Sequence, residues 1–305
     1  MEPWRDKLKK IQCIKVLFDE PMARHTSIGV GGRADALVFP EQAEALRKIT
    51  SCLKEFDIPF LPVGNGTNLI VRDGGFRGAI IVLRNLKTLK VLSRHGREVD
   101  LCAEAGVPLA DVVALALSES CEGMEFCAGI PGSVGGAVRM NAGAYGREMK
   151  DIITSISLMN GSGTVHSIPR EQLRFEYRNL ELPGETFIVS ALFRLHRGER
   201  RQIEEKVSGI LKSRWSKHPM QFRNAGSIFK NPPGMPAGRL IDEAGLKGLR
   251  IGDAEVSPMH GNFIVNLGQA TARDILALIE EVQKRVLEAK GIRLETEVRV
   301  IGEDG

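Results

Sequence analysis

Cysteine is sparse in this chain and poorly placed for chemistry. Cys13, Cys52, Cys102, Cys121 and Cys127 are odd in number and include no Cys-x-x-Cys pair. Neither a disulfide framework nor a thiolate zinc site is expected, and a reducing cytoplasm is the expected setting. The six histidines (His25, His95, His166, His196, His218 and His260) lack His-Glu-x-x-His spacing, so no metal centre is expected either. Neither sign of charge dominates. Forty-two basic against 38 acidic residues leave a net charge of +4, scattered along the chain, which is too little for a nucleic-acid surface. No run is long and apolar enough for a membrane span, and Met1-Glu-Pro-Trp-Arg-Asp-Lys7 lacks the apolar core of a signal peptide. The Gly-Lys-Ser/Thr of a P-loop, the Gly-x-Ser-x-Gly elbow and the kinase motifs are missing.

What is present is ordinary in bulk. The 305 residues are 43% hydrophobic and 26% charged, long enough for two or three domains with real cores. Ala43, Leu46, Ile49 and Leu53 mark one face of a helix over 41–57. Ile58-Pro-Phe-Leu-Pro-Val63 reads as a strand whose prolines favour a sheet edge. Ala79–Leu83 reads as a buried strand. Further strands are expected at Glu98–Ala103, Ile152–Leu158, Thr164–Ile168 and Phe187–Leu195, with a hairpin at Asn160-Gly-Ser-Gly163 and a helix at Leu109–Leu117. A new helix begins around Ile203 and Val207, and the last long helix opens on the capping box Thr271-x-x-Asp274 and stops at Gly291. Leu294, Thr296, Val298 and Val300 alternate with Arg293, Glu295, Glu297 and Arg299 as on a half-buried strand.

Two glycine-rich loops carry chemistry. In the first, Gly64, Asn65, Gly66, Thr67 and Asn68 follow a strand. Successive backbone N–H groups in such a turn can cradle a pyrophosphate, although a decorated turn has the same composition. The second runs from Ala128 to Ala137 with glycines at 129, 132, 135 and 136 and the hydroxyl of Ser133 among them, and Asn141-Ala-Gly-Ala-Tyr-Gly146 lies just beyond. Glycine at that density removes side chains where something flat or charged lies against the backbone. Two separated nests suit a long ligand with a central pyrophosphate and a flat ring, such as a flavin dinucleotide.

The segment Asn224-Ala-Gly-Ser-Ile-Phe-Lys-Asn-Pro232 sets the hydroxyl of Ser227 after a glycine and shortly before a cation, Lys230, and an amide, Asn231. The glycine permits close approach, the lysine offers a point charge to an anionic substrate, and the amide offers both a donor and an acceptor.

These motifs, in this order and spacing, resemble the UDP-N-acetylenolpyruvoylglucosamine reductase family. The match takes in His25-Thr-Ser-Ile-Gly-Val-Gly-Gly32, Gly64–Asn68, Ala128–Gly146, Tyr177-Arg178-Asn179 and Asn224–Pro232. It continues through Gly238–Gly252 and Asn262-Phe-Ile-Val-Asn266 to Glu295-Thr-Glu-Val-Arg299. The resemblance implies an α+β fold: a two-subdomain FAD-binding half of the vanillyl-alcohol-oxidase type plus an α+β substrate-binding domain. The division it suggests is 1–85, 86–197 and 198–305, with the C-terminal strand returning to the junction between the FAD-binding and substrate domains. It also implies non-covalent FAD, NADPH as reductant and a UDP-sugar substrate in peptidoglycan precursor synthesis, with neither nucleic acid nor membrane insertion, and a monomer or weak oligomer.

Residue by residue, the resemblance makes Ser227 the acid that protonates the carbanion beside a carboxylate. Arg178 and Glu297 are the groups that steady the enolate-like intermediate. A guanidinium can meet that charge with two parallel hydrogen bonds, whereas an ionised Glu297 would repel it, so Glu297 is expected to carry a proton at some stage. FAD contacts are expected from Gly64, Asn65, Gly66, Thr67 and Asn68, from Gly129, Ile130, Pro131, Gly132, Ser133 and Gly136, and from Asn141, Gly143 and Ala144. Tyr177, Lys217, Lys230 and Asn231 are the candidates for gripping the UDP-sugar. The family has a class with an extra substrate-clamping tyrosine loop. Tyr145 and Tyr177, the only tyrosines here, both lie inside shared motifs, which places the chain in the shorter class. Two other readings remain open on the residues alone: another FAD-dependent oxidoreductase of the same fold, and a non-catalytic nucleotide-binding module.

Overall fold

A computed structural model describes residues 2–305. The chain folds into two compact units, each assembled from three segments. The first takes Met1–Phe18, Ala36–Asn65 and Gly78–Lys212, and the second takes Asp19–Asp35, Gly66–Arg77 and Ser213–Gly305. The stretches 19–35 and 66–77, which lie in the opening third of the sequence, therefore fold with the C-terminal residues.

Two hydrophobic cores build the first unit. One lies between the amphipathic helix Ala43–Glu55, which buries Leu46, Ile49 and Leu53, and a four-stranded sheet. The sheet order is Ile14–Pro21, Arg33–Pro40, Phe76–Val82, Phe60–Val63. Phe60–Val63 is the edge strand, the one place where Pro62, lacking an N–H, costs no ladder bond. It pairs in parallel with the continuous apolar run Ala79–Val82, which is buried throughout. The other core lies under a larger antiparallel sheet. Its order is Val165–Pro169, Ile153–Met159, Phe187–Arg197, Glu98–Glu104, Leu89–His95, and Cys121–Glu122 adds to the end of Phe187–Arg197. The Asn160 hairpin closes as its composition demands, with Asn160 Oδ1 accepting from Ser162 N and Thr164 N.

The second unit is an antiparallel sheet ordered Arg223–Ser227, Phe263–Asn266, Ala254–Val256, Arg250–Ile251, packed with the helices Ala237–Glu243 and Ala272–Lys290. The long helix begins as expected: Thr271 and Asp274 form a reciprocal capping box, and Gly291 ends it at φ 68°. Asp73 caps the same end, with its two carboxylate oxygens accepting from Ala272 N and Arg273 N, both at 2.9 Å. The alternation over 293–300 persists in burial, with Leu294 and Val298 inside and Arg293, Glu295 and Arg299 outside. Regular strand, however, is confined to Arg299–Ile301, paired in parallel with Leu69–Val71. The residues before it form the isolated bridge Phe229–Thr296, flanked by bonds from Glu297 N to the Ile228 carbonyl and from Lys230 N to the Glu295 carbonyl. No helix among the described residues is long and apolar enough to cross a membrane.

Candidate active site

In the first unit the second glycine loop ends in the short helix Val134–Arg139, with Ser133 at its N-cap. An N-cap serine ordinarily spends its oxygen on a backbone N–H of the first turn. Ser133 does not: it makes no capping bond, is 1% exposed, and its Oγ has no hydrogen-bond partner among the described residues. An unmet buried hydroxyl costs about 1–3 kcal/mol. A β-carbon built on Gly64 would stand 2.6 Å from that Oγ, and one on Gly136 3.8 Å from it. Gly64, Gly136 and Ser133 thus meet at one place, where the absence of side chains on the glycines makes room for a hydroxyl that has no hydrogen-bond partner among the described residues. This is a chemistry that suits a pyrophosphate.

The other expected cofactor residues divide into two kinds. Gly129 and Gly132 have φ of 71° and 131°, conformations that favour glycine, and with Ile130 and Pro131 they form the loop leading to Ser133. Gly143, in contrast, is explained by packing, since a β-carbon there would lie 2.5 Å from the Arg147 carbonyl across the two-residue pairing of Gly143–Ala144 with Arg147–Glu148. Asn141 is fully buried with its carboxamide committed to protein: Nδ2 donates to Glu148 Oε2 and to the Glu176 carbonyl, and Oδ1 accepts from Lys150 N. The Gly64–Asn68 loop is itself divided. Gly64 and Asn65 belong to the first unit, and Gly66, Thr67 and Asn68 to the second. A β-carbon on Gly66 (φ 66°) would lie 2.3 Å from the His25 carbonyl.

Arg178 occupies a two-residue hairpin turn between Phe175–Glu176 and Asn179–Leu180, also in the first unit. Its φ is 57°, a left-handed conformation costing a non-glycine residue about 1–2 kcal/mol. Strain of this kind gathers at functional positions. The hairpin is held from outside, because Arg139, at the end of the Ser133 helix, donates to Asn179 Oδ1 and to the Leu180 carbonyl. Asn141 fixes the other strand through Glu176. The Arg178 guanidinium lies over the exposed ring of Tyr177, 5.1 Å from its centroid.

In the second unit Ser227 ends the strand Arg223–Ser227. Asn224 pairs with Val265 and Ser227 with Phe263, so three steps on one strand oppose two on the other. The extra residue is a β-bulge, and Gly226, at φ 76°, supplies the left-handed turn it requires. Asn224 Oδ1 accepts from Gly226 N and closes the local turn. Ser27 Oγ donates to the Asn224 carbonyl at 2.7 Å, and Ser27 N donates to the Gly66 carbonyl. Glu297 N donates to the carbonyl of Ile228, the residue after Ser227, at 2.7 Å. Asn68 Nδ2 donates to the Glu297 carbonyl and the Asn68 carbonyl accepts from Arg299 N, so Asn68 also serves the main chain around Glu297. Of the three expected catalytic residues, Ser227 and Glu297 are therefore linked through the main chain of Ile228, which follows Ser227 and accepts from Glu297 N.

The expected substrate residues of this unit are less uniform. Lys217 is exposed at the end of the helix Arg200–Lys217. Lys230 is 3.4 Å from Glu295, and Asn231 Oδ1 accepts from Ala237 N at the start of the helix Ala237–Glu243. Beside them is a pair unused by the sequence reading: the His218 and His260 rings meet edge to face at 5.2 Å, each 4.9 Å from Phe263. Burial, then His260, Arg214 and Lys217, depress His218 to about 4, and burial followed by Lys247 lowers His260. Ser27, Asn262, His218 and His260 carried no signal in composition, because their partners come from distant positions.

Known proteins resemble this chain over most of its length. Residues 34–169 match the family model of an FAD binding domain, and residues 218–301 that of the UDP-N-acetylenolpyruvoylglucosamine reductase C-terminal domain. The UDP-N-acetylenolpyruvoylglucosamine reductase of Syntrophus aciditrophicus is 56% identical over 99% of this chain and 96% of its own length. That of Pelobacter propionicus is 46% identical over 95% and 96%. The crystal structure of the Thermus caldophilus enzyme superposes with a TM-score of 0.79 at 35% identity, covering 94% of this chain and 98% of that one. The fold is α+β, with an FAD binding domain over residues 34–169. With matches of this extent, the chain belongs to the UDP-N-acetylenolpyruvoylglucosamine reductase family, and it is an FAD-dependent oxidoreductase whose membership implies FAD and NADPH as cofactors.

Proposed function

We propose that this protein catalyses the NADPH-dependent reduction of UDP-N-acetylglucosamine enolpyruvate to UDP-N-acetylmuramate, in the cytoplasm, for peptidoglycan precursor synthesis. The observation that carries the reading is the Ser227 bulge with Glu297 bonded to the next residue, in a chain 56% identical to a relative of that name. FAD, when bound, supplies hydride transfer from NADPH to the enolpyruvyl double bond. The Ser133 hydroxyl, Gly64, Gly136 and the Gly129–Gly132 loop hold its pyrophosphate. Arg178 opposes the charge that develops on the substrate carboxylate, as a planar fork that can make two parallel bonds. Ser227 gives its proton to the carbon beside that carboxylate. Serine is a weak acid, so this step depends on preorganised geometry rather than on acidity. Glu297, carrying a proton at some stage, steadies the same intermediate. Tyr177, Lys217, Lys230 and Asn231 grip the UDP-sugar. In this reading 1–85 and 86–197 are the two FAD-binding subdomains, 198–305 is the substrate domain, and the protein is a monomer or weak oligomer.

The test is anaerobic. Purified protein should carry FAD, lose its yellow colour with NADPH, and regain it on mixing with the enolpyruvyl UDP-sugar. Recolouring by a simple ketone but not by the UDP-sugar would instead favour another oxidoreductase of the same fold.

A further inference from the structure

The antiparallel ladder between Arg223–Ser227 and Phe263–Asn266 reaches its last pair at Ser227–Phe263. Beyond it the paired strand gives way to a turn at Gly261 and Asn262, and the peptides after Ser227 would lose their ladder bonds. Asn262 supplies them. Its main-chain carbonyl accepts from Ile228 N at 2.9 Å. Its side chain then acts as a substitute peptide group, with Oδ1 accepting from Phe229 N at 2.9 Å and Nδ2 donating to the Phe229 carbonyl at 2.8 Å. Asn262 is 4% exposed, so these bonds form away from water, where losing one costs most. On the opposite side, Glu297 N holds the Ile228 carbonyl. The two residues after Ser227 are thus clamped between Asn262 and the chain that carries Glu297.

We propose that Asn262 is a positioning residue: by clamping Ile228 and Phe229 it sets Ser227 and Glu297 at the separation that proton delivery requires. This rests on the reading of Ser227 as proton donor. Asn262 acts through the main chain of Ile228 and Phe229, to which its carbonyl and carboxamide are committed. A carboxamide is the one side chain that reproduces a peptide's donor and acceptor together at this reach. Proton delivery from a weak acid tolerates little displacement, since a shift of about 1 Å can cost about 10²-fold in rate.

The experiment compares Asn262→Asp with the unaltered FAD-loaded protein, alone and in a Ser227→Ala background. Aspartate is isosteric and keeps the acceptor for Phe229 N, but it turns the second bond into a repulsion. The expected result is normal NADPH-driven bleaching, unchanged substrate affinity, and reoxidation by the enolpyruvyl UDP-sugar slowed by about 10²-fold. In the Ser227→Ala background the same change should slow reoxidation little further, because residues acting as one unit are not additive. Asn262→Gln, which keeps both groups but displaces them by a methylene, is the second variant and should show the same selective loss. Equal slowing in both backgrounds, or loss of flavin and bleaching along with reoxidation, would mark general packing and overturn the proposal. If Ser227→Ala alone leaves reoxidation unchanged, the donor reading fails; if it slows reoxidation while Asn262→Asp does not, only the positioning role fails.

Discussion

A single hydroxyl gives the proposed cofactor site its clearest prediction. Ser133 is buried without a partner among the described residues, so Ser133→Ala should have opposite effects on the two forms of the protein. Without FAD the variant should be as stable as the parent or more so, because an unmet polar group is gone. With FAD it should bind about fivefold less tightly, the loss of a hydrogen bond of about 1 kcal/mol. Thermal melts with and without added FAD check both signs; equal destabilisation of the two forms would make Ser133 a packing residue. Arg178→Lys keeps the charge and loses the fork. It should retain flavin and lose about tenfold or more in turnover, the scale of one charge-assisted hydrogen bond, and wild-type turnover would remove Arg178 from the mechanism. His218 makes a prediction about pH. Its folded value, about 4, lies below the ordinary 6.5, so the unfolded chain binds more protons between those values. This contribution to stability is complete above about 6.5 and falls away as the pH drops towards 4. His218→Phe keeps a ring beside Phe263 and removes the titration, so the variant should gain on the parent as acidity rises over that window. Parallel melting profiles would contradict it.

At the scale of elements, the bulge before Ser227 matters most. A β-carbon on Gly226 would meet nothing within 4 Å, so Gly226→Ala creates no clash and tests the backbone alone. Holding alanine at φ 76° costs about 1–2 kcal/mol. The expected outcome is a modest loss of stability with a larger loss of turnover as the bulge relaxes and Ser227 turns away; unchanged turnover would show that the bulge does not aim the hydroxyl. Gly66 offers no such clean test, because the His25 carbonyl lies where its side chain would go. Most elements were readable from local pattern. The helix Ala43–Glu55 follows from its apolar spacing, the helix Ala272–Lys290 from its capping box and Gly291, and the edge strand Phe60–Val63 from its prolines. What pattern could not reach were roles fixed by distant main chain. Ser27 holds a carbonyl 197 positions away and Asn262 a peptide 33 positions away, and neither residue differs in kind from a surface polar. The regular strand expected over 294–300 shortened to Arg299–Ile301, because alternation reports which side is buried and not whether a neighbour continues the ladder.

At the scale of the whole molecule, sequence order and spatial order part company. Each compact unit is built from three segments, and the chain passes between units inside the loop Gly64–Asn68. Motif order along the chain was enough to identify the family and to set Arg178 apart from Ser227 and Glu297, but not to show that 19–35 and 66–77 fold with the C-terminal residues. In the proposed reaction Ser227 delivers the proton that completes substrate reduction, and anaerobic stopped flow on Ser227→Ala tests this by following the two half-reactions separately. Bleaching by NADPH requires no proton from this residue and should proceed at a near-normal rate. Reoxidation by the enolpyruvyl UDP-sugar should slow by about 10²–10⁴-fold, the usual loss on removing a positioned general acid. Equal slowing of both half-reactions, or unimpaired reoxidation, would contradict the account.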